Sequence, residues 1–439
     1  MEVKQFYDEP LAHASYAVMS DTTKEIVLID PGRNPQPYYD WAAEREGVIR
    51  AVIETHPHAD FVSSHGEIAR TTGAKIYQSQ LAEPAYEFVP FDSGKRISLG
   101  EMLLEAANTP GHSPDSISVL LRDADGVYCV FTGDTLFVGD VGRPDLREDT
   151  GHQREELARQ MYHSTREILL KLPDDVVIFP AHGAGTLCGK NLGEERSSTM
   201  GHERETNHAL SEMTEDAFVE YLLADQPFVP KYFPFDVELN KTGAPNLAQS
   251  LAQVPHVSPD SLEEGIWIVD TRPAEEFKRG HWPKAFNLQD GPKFETWLGS
   301  ILAPGEPFYL QAADGETLDR LLERIAKIGY EAQVRGAFIL PEIDHDASPT
   351  LRLEEFRENP GAYTIVDIRN ASETNELIFE HALTIPLPEL RERAGEIPTD
   401  RPIVVHCAGG YRSAAGSSLL EEMLDVPVYD LGEAVKECQ

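Results

Sequence analysis

Short apolar runs that stop at Gly- or Asp-bearing turns dominate the first half of the chain. Glu25-Ile26-Val27-Leu28-Ile29, Ala51-Val52-Ile53, Val127-Tyr128-Cys129-Val130-Phe131 and Val176-Val177-Ile178-Phe179 each read as a buried strand. Between and after them the pattern turns helical over 153–172 and 212–223. This alternation predicts an α/β domain over residues 1–245. Its exit is marked by the Pro-rich text Phe228-Val229-Pro230-Lys231-Tyr232-Phe233-Pro234 and by Gly243-Ala244-Pro245. The remainder repeats itself. Ile268-Val269-Asp270-Thr271-Arg272 recurs as Ile365-Val366-Asp367-Ile368-Arg369, and Pro307-Phe308-Tyr309-Leu310-Gln311 corresponds to Pro402-Ile403-Val404-Val405-His406. Two blocks in the same order predict a duplicated small α/β domain, divided as 246–347 and 348–439.

Composition changes this picture little, but it narrows the partners. The 439 residues suit about three domains, and 41% hydrophobic content is enough for their cores. With 75 acidic against 38 basic residues the net charge is −37. Such a surface repels nucleic acid and anionic membranes, and it suits a high-salt medium that screens self-repulsion. Four cysteines, Cys129, Cys188, Cys407 and Cys438, make no disulfide framework and predict a reducing, cytoplasmic setting. No signal peptide and no membrane span are read in the chain.

The chemistry concentrates at strand ends. Thr55-His56-Pro57-His58-Ala59-Asp60-Phe61 follows the run ending at Ile53 and packs two imidazoles and a carboxylate into five residues. Thr109-Pro110-Gly111-His112-Ser113, Thr132-Gly133-Asp134-Thr135 and Pro180-Ala181-His182-Gly183 add a His or Asp at three further junctions. One such His commonly bonds a backbone carbonyl, but four sets together indicate a metal centre. Two His and one carboxylate leave coordination positions open, as Fe(II) centres that activate O2 require. Phe61 has no lone pair to offer a second metal.

These motifs, in order, resemble the metallo-β-lactamase superfamily. Glu54 to Phe61, with Gly133-Asp134-Thr135-Leu136-Phe137 and Gly142-Arg143-Pro144-Asp145, are most similar to persulfide dioxygenases. The resemblance implies an αββα sandwich and one non-haem iron per chain, held by His56, His112 and Asp134. It leaves His58, Asp60 and His182 behind the ligands, orienting imidazoles and tuning the metal. It also implies a substrate contact for Arg143, whose alternative is a surface ion pair with Asp140 or Asp145. The family's aromatic hydroxyl after the Pro-Ala-His turn is replaced by Gly183-Ala184-Gly185. Cys188 is a candidate relay thiol, or a small buried residue, and Lys190 a candidate for holding an anionic thiol carrier. Cys129 reads as core and Cys438 as idle.

A second chemistry follows the strand Ile403-Val404-Val405. His406-Cys407-Ala408-Gly409-Gly410-Tyr411-Arg412-Ser413 opens an amphipathic helix expected over 413–423. Inward amides and the helix dipole favour a thiolate or persulfide on such a Cys. The loop resembles that of rhodaneses; Cys-based phosphatases use a loop one residue longer. Cys407 and Arg412 are then catalytic, Ala408, Gly409, Gly410 and Tyr411 line the substrate, and Asp367 and Arg369 are structural. In the middle copy Ala312 stands where the Cys would be, beside Asp314 and Glu316, so that copy is expected to be inactive.

The fold expected is therefore a metallo-β-lactamase αββα sandwich followed by two small rhodanese-like α/β domains. The expected function is oxidation of a low-molecular-weight thiol persulfide by O2 to sulfite, with sulfur transfer through Cys407 to give thiosulfate. The partners are a thiol persulfide, O2 and sulfite, in a homo-oligomer without nucleic acid or membrane. The alternative is a zinc-dependent thioester hydrolase of the glyoxalase II type with accessory rhodanese domains.

Overall fold

The computed structural model describes residues 1–146, 153–340 and 347–438. It forms two units: Met1–Leu247 with Lys327–Gly329, and Ala248–Ala326 with Tyr330–Gln439. Residues 341–346, ahead of the expected 347/348 boundary, lie outside the described residues.

The first unit is built on two six-stranded sheets. One runs Glu2–Asp8, His13–Met19, Glu25–Ile29, Val48–Ile53, Lys75–Gln78, Val89–Pro90. The other runs Arg96–Leu99, Met102–Asn108, Ile117–Arg122, Val127–Gly133, Val177–Pro180, Ser198–Thr199. Alternate side chains of the two sheets share one core, in which Tyr16, Val27 and Ile53 pack with Leu104, Val119 and Phe131. On the outer faces Trp41 and Ile68 cover Leu28 and Val52, while Met161 and Phe218 cover Val130 and Ile178. The result is the expected αββα sandwich.

The sheets turn parallel where the chemistry lies. Glu25–Ile29 pairs in parallel with Val48–Ile53, and Val127–Gly133 with Val177–Pro180. Parallel neighbours end at one edge, and Gly133 sits opposite Pro180 in that register. Asp134 and His182 therefore leave the sheet side by side. A hydrogen bond from Ile117 N to Thr55 O, 2.9 Å long, ties the two sheets at the same edge.

The three helices differ from the sequence reading. The helix expected over 153–172 is regular over Arg154–His163, widens over Ser164–Ile168 and tightens over Leu169–Lys171. The helix expected from 212 starts at Glu215, because the Thr214 side chain caps it by accepting from Ala217 N. The last helix spans Tyr411–Met423 and is not amphipathic: every residue from Ser413 to Leu420 is buried. Its Ser, Ala and Gly residues pack against its own sheet and also against strand Ala285–Asn287, where Asn287 N donates to Ser418 Oγ at 2.8 Å.

The second unit contains two four-stranded parallel sheets with the same order. They run Ala285–Asn287, Trp267–Asp270, Phe308–Ala312, Val334–Ile339, and Leu383–Thr384, Thr364–Asp367, Ile403–His406, Val428–Asp430. Each repeats a buried fork, Arg272 on Asp270 at 2.6 Å and Arg369 on Asp367 at 2.7 Å. Among the described residues no helix is long and apolar enough to cross a membrane.

Candidate metal centre and cysteine loop

The chain from Ala51 to His65 is buried throughout, although most of it is loop. Hydrogen bonds replace regular structure there. Asp30 accepts from Thr55 N at 2.7 Å and from Thr55 Oγ1 at 2.8 Å. With its O–H directed at Asp30, the Thr55 hydroxyl accepts from His56 Nδ1, 3.1 Å away. His112 Nδ1 lies 2.8 Å from the carbonyl of Arg143, which can only accept. Both rings thus carry their proton on Nδ1 and present Nε2 as a lone pair. Those atoms lie 3.9 and 3.4 Å from Asp134 Oδ2. Neither Asp134 oxygen accepts a hydrogen bond of ordinary geometry, with His182 Nε2 standing off at 3.6 Å, and the carboxylate is buried. A buried carboxylate left without donors is costly unless a cation completes it.

The structure thus brings His56, His112 and Asp134 within reach of one ion. Two imidazoles and a carboxylate suit a transition metal, Fe(II) included. Two glycines make the approach possible. Gly133 has φ +52, and a Cβ there would lie 2.6 Å from Thr55 Oγ1. A Cβ on Gly142 would lie 2.0 Å from the Asp134 carbonyl.

The remaining predicted residues fall around this set. His182 donates from Nδ1 to Ala12 O at 3.3 Å and turns Nε2 toward Asp60 and Asp134, at 3.4 and 3.6 Å. Burial opposes charge on His182, but the carboxylates of Asp60 and Asp134 outweigh it and push its pKa up to about 9. Burial likewise opposes ionisation of Asp60, and the neighbouring His182 overcomes it, holding Asp60 at about 2. His58 Nε2 lies 3.1 Å from Asp30 Oδ1. Phe61 packs against His58 and His13, with ring centroids 4.3 and 3.8 Å away. Cys188 is buried within reach of Asp60 and His182, and burial drives its thiol pKa well up.

Two predicted cations have partners in the structure. Arg143 is buried and forms an ion pair with the partly exposed Asp145. It forks onto both carboxylate oxygens at 2.6 and 2.7 Å, and NH1 donates to Leu187 O at 3.1 Å. Its backbone meanwhile orients His112. The Lys190 ammonium donates to the carbonyls of Tyr221 and Ala224, at 2.7 and 2.8 Å.

Some functional residues were invisible in the sequence. Asn240, on helix Phe233–Thr242, donates to the carbonyls of His58 and Phe61 at 2.8 and 2.7 Å and accepts from Ser63 N at 2.8 Å. It pins the whole histidine loop. His13 joins the cluster from the start of its strand. Gly183 leaves room for the Tyr7 hydroxyl, which a Cβ there would approach to 2.5 Å.

In the last copy Cys407 is buried and Gly410 N points at its sulfur, 3.1 Å away. Gly410 takes φ +98. Arg412 follows in the first turn of the helix and forks onto Glu373, with both bonds 2.6 Å long. The Tyr411 side chain leaves the loop and donates from its hydroxyl to Gln289 O at 2.8 Å. In the middle copy the equivalent helix, Gly315–Ala326, has its N-terminal amide taken by Asp314, which accepts from Thr317 N at 2.8 Å.

The metallo-beta-lactamase superfamily matches over residues 9–182, and the rhodanese-like domain over 352–437. Human mitochondrial persulfide dioxygenase ETHE1 is 27% identical over 197 residues, which cover 44% of this chain and 73% of that protein. A hydroxyacylglutathione hydrolase from Hahella chejuensis is 32% identical over 155 residues, covering 35% of this chain and 56% of that protein. A solved metallo-beta-lactamase structure from Staphylococcus aureus subsp. aureus COL is 32% identical. It covers 77% of this chain and 99% of that one, with a TM-score of 0.68.

Proposed function

We propose, from the premise that this chain belongs to the metallo-beta-lactamase superfamily and carries a rhodanese-like domain behind that fold, that it is an iron persulfide dioxygenase coupled to a sulfurtransferase. The observation that carries the reading is the donor set of His56, His112 and Asp134, two imidazoles fixed by Thr55 and the Arg143 carbonyl around a carboxylate without hydrogen-bond donors. The persulfide dioxygenase among the relatives supports it.

A ferrous ion held by these three residues would supply O2 activation. The chain's own groups do the rest. Asp30 and Thr55 hold His56 in its tautomer, and the Arg143–Asp145 fork holds the carbonyl that orients His112. His58, Asp60 and His182 stand behind the ligands, and Phe61 adds an apolar wall where a further ligand would need a lone pair. The outer sulfur of a thiol persulfide takes both oxygens of O2 and one from water and leaves as sulfite, while the thiol keeps the inner sulfur. In the last domain the Cys407 thiolate attacks the outer sulfur of a second persulfide and releases its thiol. Sulfite then attacks the sulfur carried on Cys407, giving thiosulfate and returning the thiolate. The backbone of Ala408, Gly409 and Gly410 cradles the carried sulfur, and Arg412 draws the anionic acceptor. The middle copy, with Ala312 in place of Cys and Asp314 at its helix start, carries no sulfur. We read the three domains as 1–245, 246–347 and 348–439.

The test is Cys407→Ser with glutathione persulfide under air. Oxygen uptake continues and the product shifts from thiosulfate to sulfite; an unchanged thiosulfate yield removes the assigned role.

One observation favours a second reading. Asp60, His182 and Cys188, with His58 and Asp134 beside them, offer donors for a second ion despite Phe61. Two zinc ions and thioester hydrolysis would then replace oxygen chemistry, in line with the hydrolase among the relatives. Metal content distinguishes the two.

A further inference from the structure

We propose that Trp297 of the cysteine-less copy is a positioning residue for Arg412, so that this copy forms one wall of the Cys407 site. The inference rests on the sulfur-transfer reading above and on contacts within the second unit.

The Arg412 guanidinium is held on two sides. Its edge is taken by Glu373, with NH1 and NH2 each donating at 2.6 Å. Its carbon lies over the indole ring of Trp297, 5.4 Å from the ring centroid. Glu373 is itself fixed, because it accepts from Asn370 N at 3.0 Å. Tyr411, the residue before, is seated on the same copy. Its hydroxyl bonds Gln289 O, and a Cβ on Gly291 would fall 2.4 Å from its ring. The first two residues of the helix that follows the cysteine loop therefore both rest on the segment 289–297.

This seating bears on anion binding. A guanidinium offers five N–H donors in one plane, and Glu373 takes two of its ends. What remains for an anion at Cys407 depends on how that plane is turned. A two-point fork ties the guanidinium plane to that of the carboxylate, but the single bond from Asn370 N to one Glu373 oxygen leaves the joined pair free to tilt. The indole face removes that freedom, and a cation over tryptophan is attracted as well as blocked. Burial opposes the charge on Arg412, but Glu373 outweighs it, and Cys407 is among the groups that favour the cation. The loss of the thiol in the middle copy thus does not make that copy dispensable to the sulfur site.

The test uses the full-length protein and alkylation of Cys407, followed by peptide mass spectrometry, with anionic iodoacetate and neutral iodoacetamide. The ratio of the two rates cancels the thiol's own ionisation and reads the pull of Arg412 on an anion. Trp297→Ala lowers this ratio about fivefold, and Trp297→Phe, which keeps an aromatic face, restores most of it. Most of the Trp297 side chain is covered, so Tm is measured beside the ratio, and Trp297→Phe is the variant expected to hold it. With thiosulfate as donor and cyanide as acceptor, Trp297→Ala raises the KM for thiosulfate more than it changes kcat. An unchanged ratio in Trp297→Ala overturns the inference, as does a fall that tracks a loss of Tm in both variants. If the wild type transfers no sulfur, the functional reading fails, while the alkylation ratio still decides the role of Trp297.

Discussion

The metal centre is specified by groups that never touch a metal. His56 and His112 present the same ring nitrogen because Thr55 and the Arg143 carbonyl fix the other one. The ligand candidates could be read from the sequence because the signal is local: His-x-His-x-Asp, a Pro-Gly-His turn and a Gly-Asp-Thr turn all follow apolar runs. Their supports could not. Asn240 lies 182 positions from His58, whose carbonyl it bonds, and an isolated Asn in a helix carries no pattern. Asp145 could be read beside Arg143, but the carbonyls of Tyr221 and Ala224 meet Lys190 only through folding. Asn240→Ala should strand two carbonyls and an N–H in the buried histidine loop, costing about 2 kcal/mol of stability. Metal affinity should fall in parallel in equilibrium dialysis. Wild-type stability and metal retention would show that the loop holds itself.

At the scale of elements, parallel pairing does most of the positioning. Strands Val48–Ile53, Val127–Gly133 and Val177–Pro180 end where His56, Asp134 and His182 begin. The strands and the duplication were legible because a buried strand is a compact apolar run. The surroundings of helix Tyr411–Met423 were not, because its Ser-Ala-Gly stretch shows no stripe once two sheets enclose it. Gly416 shows how close that packing is: a Cβ there would lie 2.6 Å from Ile368 Cδ1. The start of this helix also carries an acid-sensitive link. Burial would raise Glu373, but the Arg412 guanidinium overcomes it and holds the carboxyl below the usual range. A depressed folded pKa contributes stability above the unfolded value, about 4.3, and that contribution is lost as pH falls through the folded value. In urea melts, wild type should exceed Glu373→Gln at pH 7, and the gap should close below about pH 4. A gap independent of pH would mean that the ion pair contributes nothing.

On the scale of the whole molecule, a sandwich carrying a two-His, one-carboxylate donor set and a rhodanese-like domain with a buried cysteine at a helix start share one chain. Covalent linkage raises the concentration at which the product of one part reaches the other; on the function proposed above, sulfite is the product of the first chemistry and the acceptor in the second. The fold classes of both parts were legible because each advertises itself by a short loop after a strand. Which metal the first part holds was less so: Phe61 argues for one ion, whereas Cys188 comes into reach of Asp60 and His182 only through folding. Oxygen uptake decides between these. Protein loaded with Fe(II) under anaerobic conditions should, on adding glutathione persulfide and air, consume one dioxygen for each persulfide oxidised, and His112→Ala should lose iron and uptake together. A wild-type protein that binds two zinc ions, hydrolyses thioesters and leaves the oxygen trace flat would contradict the account.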